Sequence, residues 1–93
     1  MILTFACRDA ERIWDMHPVR RIPPQVQRAV RRKLVMLDAA QALEDLRVPP
    51  GNRLESLKGD RAGQHSIRVN DQLRICFVWN GRDVEDVELV DYH

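Results

Sequence analysis

Three adjacent residues, Asp91, Tyr92 and His93, bring a carboxylate, a phenol and an imidazole together directly after an apolar run. In an extended strand Asp91 and His93 face one way and Tyr92 the other, because side chains alternate between the two faces. A carboxylate and an imidazole on one face are suited to acid–base catalysis, since imidazole gains and loses a proton near neutral pH. A polar, frayed segment is the structural alternative, and local sequence leaves both interpretations open.

Positively charged residues form a second group that could act chemically. Lys58 and Arg61 flank a predicted glycine-bounded turn, and Arg68 and Arg74 lie in predicted strands. An arginine on the sheet face opposite the core can bind a phosphate through two parallel hydrogen bonds. Alternatively, the strand arginines pair with acidic residues across the sheet, such as Glu88, and keep an exposed face soluble.

Further candidates fall on a predicted helix and near the start of the strands. Arg28, Arg31 and Arg32 share the polar side of the helix, where they form a solvated face or dock on structured RNA. His65 alternates with apolar strand residues, so we expect a half-buried side chain, either structural or stacked on a base. Glu55 adds a carboxylate near the same turn.

Cysteine and histidine spacing does not indicate a metal site. Cys7, Cys76, His17, His65 and His93 lack the ligand spacing of a zinc centre, so we expect neither a metal nor another cofactor. The two cysteines are expected to be buried or half-buried thiols. Their small number, with no apparent signal peptide and no apolar run of membrane-spanning length, favours a cytoplasmic protein.

Length and charge limit the organisation of the chain. Its 93 residues are enough for one domain over residues 1–93 with a single small core. A formal net charge of +1 is low for a dedicated nucleic-acid-binding protein. However, basic residues crowd between Arg20 and Lys33, whereas acidic residues gather between Asp83 and Asp91. The sequence therefore predicts one basic flank and one acidic flank.

These side chains must be positioned by helices in the first half and strands in the second. The apolar stretch MILTF predicts a first strand, and Asp9 is expected to cap a short helix. Apolar residues then recur at spacings of four, four and three from Val26 to Leu37, which predicts a buried stripe on a helix over residues 24–40. The stretch ALEDL is expected to add one more turn.

After residue 51 the apolar period changes to two, which predicts hairpin-linked strands. The predicted strands are RLESL, QHSIRV, QLRICFVW and VEDVELVDYH. Ile75 and Phe77 share one face of the third of these strands, so Arg74 is expected to point to the opposite face, which is either exposed or forms a shallow groove. The pattern predicts an α+β sandwich, with the N-terminal strand and two helices packed on a mostly antiparallel sheet.

The second half also contains a specific combination of motifs: PPGNRLE, LKGDRAGQ, SIRVNDQ and DYH. Together they resemble the HigB-type toxins of bacterial toxin–antitoxin modules, and more narrowly the GraT-like branch of the RelE/ParE superfamily. The similarity covers about Pro24 to His93 and, loosely, the first strand.

This resemblance implies a RelE-like fold and a ribosome-dependent endoribonuclease that cuts messenger RNA without a metal. The ribose 2′-hydroxyl attacks the adjacent phosphate and leaves a cyclic phosphate. The resemblance also implies a cognate HigA/GraA-like antitoxin with a helix-turn-helix domain, which silences the toxin. The toxin would reach operator DNA only through that antitoxin, and no membrane is involved.

The resemblance assigns roles to five residues by position. The family's active-site cations match Lys58 and Arg74, and its acid–base group matches Asp91, Tyr92 and His93. We expect Asp91 or His93 to transfer protons, the two cations to bind the phosphate, and Tyr92 to position the substrate. The residues expected to contact RNA are Arg28, Arg31, Arg32, Arg61, Arg68 and His65, with Glu55 as an additional site residue.

Three positions depart from the pattern of the relatives. Glu55 stands where some members have histidine, His65 where tyrosine is common, and Leu73 where tryptophan is common. Glutamate can accept a proton, but it adds negative charge beside a phosphate. Two fewer large aromatic rings should weaken base stacking by about 1–3 kcal/mol per base. The departures therefore predict a slow nuclease.

Two other functions remain compatible with this sequence. The same superfamily includes ParE-like toxins that inhibit DNA gyrase and cut nothing. A weakened toxin could instead act mainly as the antitoxin's partner in repression of the operon. The set formed by Lys58, Arg74 and the DYH motif favours cleavage over gyrase binding.

Overall fold

A computed structural model describes residues 1–91, and Tyr92 and His93 lie outside the described residues. Within residues 1–91, helices α1 and α2 precede the antiparallel strands β1 to β4, which form a sheet in that order. The elements are α1 (Arg8–Trp14), α2 (Pro24–Ala39), β1 (Glu55–Ser56), β2 (His65–Arg68), β3 (Leu73–Trp79) and β4 (Val84–Asp91). Short 3-10 turns cover Leu43–Arg47, Pro50–Asn52 and Gly59–Arg61. The predicted α+β architecture is confirmed.

The core lies between α2 and one face of the sheet. Val30, Leu34 and Leu37 are fully buried along the predicted stripe of α2, and they pack with Ile75 and Phe77 of β3. The helix begins at a proline, whose fixed φ and missing N–H are tolerated in the first turn. Neither helix in the described part of the chain is long and apolar enough to cross a bilayer.

The first predicted strand is irregular in the structure. It pairs in parallel with β4 through two isolated bridges, Ile2 to Val84 and Phe5 to Val87. A bulge in β4 separates the bridges, because Asp86 adopts a left-handed φ of 52° and the register to β3 shifts there. Thr4 Oγ1 accepts the Asp86 N–H at 2.9 Å, so the N-terminal segment and the bulge fix each other.

The expected cap of α1 was wrong. The N-cap residue is Cys7, whose Sγ accepts the N–H of Ala10 at 3.5 Å. The same sulfur accepts the Leu89 N–H at 3.4 Å, which ties the start of the helix to β4. Asp9 lies inside the first turn, where a carboxylate favours the positive end of the helix dipole, and it pairs with Arg21.

The strand pairing decides which side chains share the face turned away from the helices, called here the outer face. Register places Glu55, Ser66, Cys76 and Glu88 opposite one another across the strands, and it places Arg68 opposite Arg74. Ser66 and Cys76 are fully buried on this face. The Arg74 side chain, whose Nε donates to Ser66 Oγ, covers part of this face.

Candidate functional site

Arg74 is the most constrained cation of the outer face. Its Nε donates to Ser66 Oγ at 2.9 Å, and its Nη2 donates to the carbonyl oxygen of Arg53 at 2.7 Å. The side chain is 12% exposed. No hydrogen bond to a residue within 1–91 uses Nη1, so this edge of the guanidinium remains able to bind an anion. A guanidinium fixed in this way loses little freedom when it binds a phosphate oxygen.

Glu55 lies beside this guanidinium. Its Oε1 is 3.9 Å from Arg74 Nη2, and its side chain is 59% exposed. The carboxylate thus neutralises part of the arginine charge while keeping a solvent-facing oxygen next to the place where an anion would bind. Such a pair can offer a proton acceptor and a phosphate ligand within one small area.

Arg61 and Arg68 are each paired with an acid on this side of the molecule. Arg61 Nη1 and Nη2 donate to the two carboxylate oxygens of Glu88 at 3.0 and 3.4 Å. Arg61 Nη1 also donates to Gln64 Oε1 at 3.1 Å. Arg68 pairs with Asp71 in the following turn. Within residues 1–91, Glu88 thus pairs with Arg61 rather than with a strand arginine, and Arg68 pairs in its own turn rather than across the sheet.

Lys58 lies on the exposed loop between β1 and β2, directly before the turn Gly59–Arg61. Within residues 1–91 it forms no salt bridge. A lysine on such a loop is a flexible point charge, in contrast to the fixed fork of Arg74. It follows Glu55 by three positions and therefore leaves the sheet at the edge formed by β1.

Asp91 is on the opposite face from Arg74. Register pairs Asp91 with Leu73 and Arg74 with Val90, and directly paired residues point to the same side of a sheet. Gln72 Nε2 donates to Asp91 Oδ2 at 3.2 Å. The carboxylate also lines a cavity of about 270 Å³ with residues of both helices' N-terminal regions. The resemblance assigned Asp91 and Arg74 to one active site, whereas this register places the two side chains on opposite faces of the sheet.

His65 also faces the helices. Its ring stacks on Phe77, with centroids 6.1 Å apart and planes inclined by 28°. Leu73, two strand residues before Ile75, is half-buried on the same side. Neither position is on the face of Arg74, so a change of residue there removes no aromatic ring from the cationic surface. The basis for predicting a slow nuclease from these two positions is therefore lost.

The arginines of α2 form a second cationic surface, separate from the first. Arg31 lies over the Trp14 ring, 5.5 Å from its centroid, and Arg28 and Arg32 are exposed. Because α2 packs on the inner face of the sheet, this stripe and Arg74 lie on different sides of the molecule. One phosphate group cannot contact both surfaces.

Sequence reasoning missed the residues that hold Arg74. Ser66 is a fully buried polar residue on β2. Its role could have been predicted from the sequence pattern, because a serine that shares a strand face with an arginine can accept a hydrogen bond from it. Arg53 contributes through its backbone, which has a left-handed φ of 46°. The preceding Gly51 and Asn52 indicate a turn, but not its direction.

Cysteines and potential metal ligands add little to this arrangement. Cys7 is half-buried and Cys76 is buried, as predicted. Among residues 1–91, no three side chains of histidine, cysteine, aspartate or glutamate come together as metal ligands. Among residues 1–91, the charged groups of the outer face are guanidinium and carboxylate groups, and the Lys58 ammonium lies on the adjoining loop.

Comparison with known proteins adds independent information. A family profile described as "RelE-like toxin of type II toxin-antitoxin system HigB" matches residues 3–93. The chain is similar to Toxin HigB-1 of Vibrio cholerae, with 57% identity over 60 residues, covering 64% of this chain and 63% of that protein. The match thus spans slightly less than two thirds of HigB-1. An uncharacterized protein of Haemophilus influenzae is 36% identical over 69 residues, covering 74% of this chain and 68% of that one.

A solved structure shares the fold. The chain resembles the YoeB-YefM complex from Staphylococcus aureus with a TM-score of 0.64 and 17% identity, covering 100% of this chain and 98% of that one. At this identity the likeness concerns the arrangement of two helices on an antiparallel sheet.

Proposed function

Because this chain belongs to the HigB family of RelE-like toxins of type II toxin–antitoxin systems, we propose that it cuts messenger RNA on the ribosome. The proposed reaction is attack of a ribose 2′-hydroxyl on the adjacent phosphate, without a metal. The observation that carries the proposal is Arg74, a guanidinium fixed by two acceptors, whose Nη1 makes no hydrogen bond to any residue within 1–91. Charge that develops on phosphate in the transition state is stabilised most by donors held in place beforehand.

The bond changes assign a task to each neighbouring group. The O2′–P bond forms and the P–O5′ bond breaks, giving a 2′,3′-cyclic phosphate and a 5′-hydroxyl. Arg74 Nη1 donates to a non-bridging phosphate oxygen, and Lys58 adds a second positive charge from its exposed loop. One group must accept the 2′-hydroxyl proton and another must protonate the leaving oxygen. We assign proton transfer to His93, and to Glu55 as the carboxylate beside Arg74, with Tyr92 positioning the substrate.

Asp91→Asn is expected to change the cleavage rate by less than about tenfold, because a proton-transfer group contributes more than that only within hydrogen-bond reach of the substrate. Asp91 faces the helices, across the sheet from Arg74. The rate is measured on purified ribosomes carrying a messenger RNA. Asp15→Asn, at an exposed aspartate after α1, provides the control for loss of one carboxylate. If the cleavage rate fell a hundredfold or more in Asp91→Asn but not in the control, Asp91 would be the residue that transfers the proton.

The proposal includes partners and a compartment. The solved neighbour is a complex of YoeB with YefM. For this chain we propose a cognate antitoxin with a helix-turn-helix domain, through which the pair contacts operator DNA. The proposed substrate is the ribosome with its messenger RNA, which places the activity in the cytoplasm. The α2 arginines, separate from Arg74, are proposed to contact structured RNA rather than the scissile phosphate.

The function is tested by brief induction of the chain in growing bacteria. We expect growth arrest and new 5′ ends in messenger RNA, detected by primer extension and phased with codons. Plasmid supercoiling measured in the same cells separates this function from inhibition of DNA gyrase. Arrest with relaxed plasmids and no new 5′ ends would replace the nuclease by a gyrase inhibitor. Stable expression without arrest or new ends would favour a partner that acts only in repression.

A further inference from the structure

We propose that Asn52 and Arg53 are positioning residues for Arg74: the buried Asn52 side chain fixes a left-handed turn, and that turn directs the Arg53 carbonyl oxygen at the Arg74 guanidinium. The role in catalysis rests on the function proposed above. The positioning itself rests on contacts between described residues and is testable without any RNA.

The anchor of the turn is the side chain of Asn52. It is fully buried, and all the polar atoms of its amide have partners. Nδ2 donates to the carbonyl oxygen of Leu46 at 3.1 Å, and Oδ1 accepts from Lys33 Nζ at 2.6 Å. Burial, and then the charge of Arg32, lower the pKa of Lys33. The turn is therefore attached to α2 on one side and to the preceding loop on the other.

Arg53 acts through its backbone. It has φ 46° and ψ 57°, the left-handed conformation that residues with a Cβ rarely adopt. Its side chain is exposed, whereas its carbonyl oxygen accepts from Arg74 Nη2 at 2.7 Å. A residue held in an unfavourable conformation with its side chain in solvent indicates that the direction of the backbone is what matters at this position.

The consequence for Arg74 is directional. Ser66 Oγ holds Nε, and the Arg53 carbonyl holds Nη2, so the guanidinium plane is fixed by two acceptors on different elements. Loss of the hydrogen bond to this carbonyl oxygen leaves the positive charge of Arg74 in place, but the guanidinium plane is then free to rotate. A released guanidinium still attracts RNA, because attraction depends on charge, but it stabilises the transition state less well, because that depends on orientation.

Three substitutions at Arg53 separate the backbone from the side chain, because each removes the same charged side chain. Glycine adopts the left-handed conformation readily, alanine less so, and β-branched valine least. Arg53→Gly is expected to keep kcat close to wild type, whereas Arg53→Ala and then Arg53→Val lose about tenfold to a hundredfold in kcat with KM nearly unchanged. The graded series keeps the test decisive if Arg53→Val does not fold, since Arg53→Gly and Arg53→Ala are then compared.

A second measurement does not depend on cleavage. The Nε–H resonance of Arg74 is identified in NMR spectra by its absence from Arg74→Lys. We expect this resonance to persist in Arg53→Gly and to broaden or shift toward free arginine in Arg53→Ala and Arg53→Val. Equal kcat and equal Arg74 spectra in folded Arg53→Gly and Arg53→Ala would overturn the positioning role. If the wild-type protein cuts no RNA, the proposed function fails, and the NMR comparison still decides the positioning claim.

Discussion

Replacement of Arg74 by alanine is expected to lower the rate of messenger RNA cleavage about 10²–10³-fold, the loss typical when one fixed donor to a developing oxyanion is removed. In the structure this guanidinium is 12% exposed and bound at Nε and Nη2, so it is oriented before any substrate arrives. The rate is measured under single-turnover conditions on ribosomes that carry a defined messenger RNA.

The fold of this variant should survive. Arg74 belongs to the outer face, not to the core under α2. Its removal leaves the buried Ser66 hydroxyl without one donor, a cost of about 1–3 kcal/mol, whereas the contact to the Arg53 carbonyl is exposed to water. Thermal unfolding followed by circular dichroism checks this. Arg82→Ala, at an exposed turn arginine, is the control for the lost charge. If folded Arg74→Ala cleaved messenger RNA at the wild-type rate, the scissile phosphate would not be bound by Arg74.

A second large effect is expected for His93→Ala, which should slow cleavage by about 10²–10⁴-fold, the usual contribution of a general acid or base. The assignment rests on the resemblance to HigB-type toxins, which matches His93 to the acid–base group, and on the ability of imidazole to gain and lose a proton near neutral pH. The rate of the wild-type protein should change near neutral pH with the titration of that imidazole, and this dependence should be lost in His93→Ala.

An exposed histidine provides the matched control. His17 lies after α1 on the helix side of the molecule, and His17→Ala removes the same ring without touching the sheet. We expect it to leave both the rate and its pH dependence unchanged. If His93→Ala cleaves as fast as His17→Ala, proton transfer belongs to another group, and Glu55 is then the residue to replace.

The sequence predicted correctly those elements whose formation depends on a local pattern of apolar residues. The stripe from Val26 to Leu37 predicted α2 because its spacing requires a helix, and the structure has Pro24–Ala39. The alternation around Arg74 placed it opposite Ile75 and Phe77, because a strand leaves no other choice. Family membership was likewise predicted from four motifs and is confirmed by a match over residues 3–93.

Features that depend on how distant segments meet were missed. Asp91 and Arg74 are on opposite faces because β4 pairs with β3 in the register that joins Asp91 to Leu73, and a shift of one residue would reverse this. The cap of α1 uses Cys7, partly because its sulfur also contacts β4. Arg53 was missed because its contribution is a carbonyl oxygen, which side-chain identity does not reveal.

The central claim, that the outer face around Arg74 performs phosphoryl transfer on messenger RNA, is tested most directly with purified components. Wild-type protein and Arg74→Ala are mixed with ribosomes stalled on one defined codon, and the ends of the cut messenger RNA are analysed chemically. The account predicts fragments that end in a 2′,3′-cyclic phosphate with wild-type protein and almost none with the variant. Intact messenger RNA in the presence of folded wild-type protein, or equal cleavage by the two proteins, would contradict it.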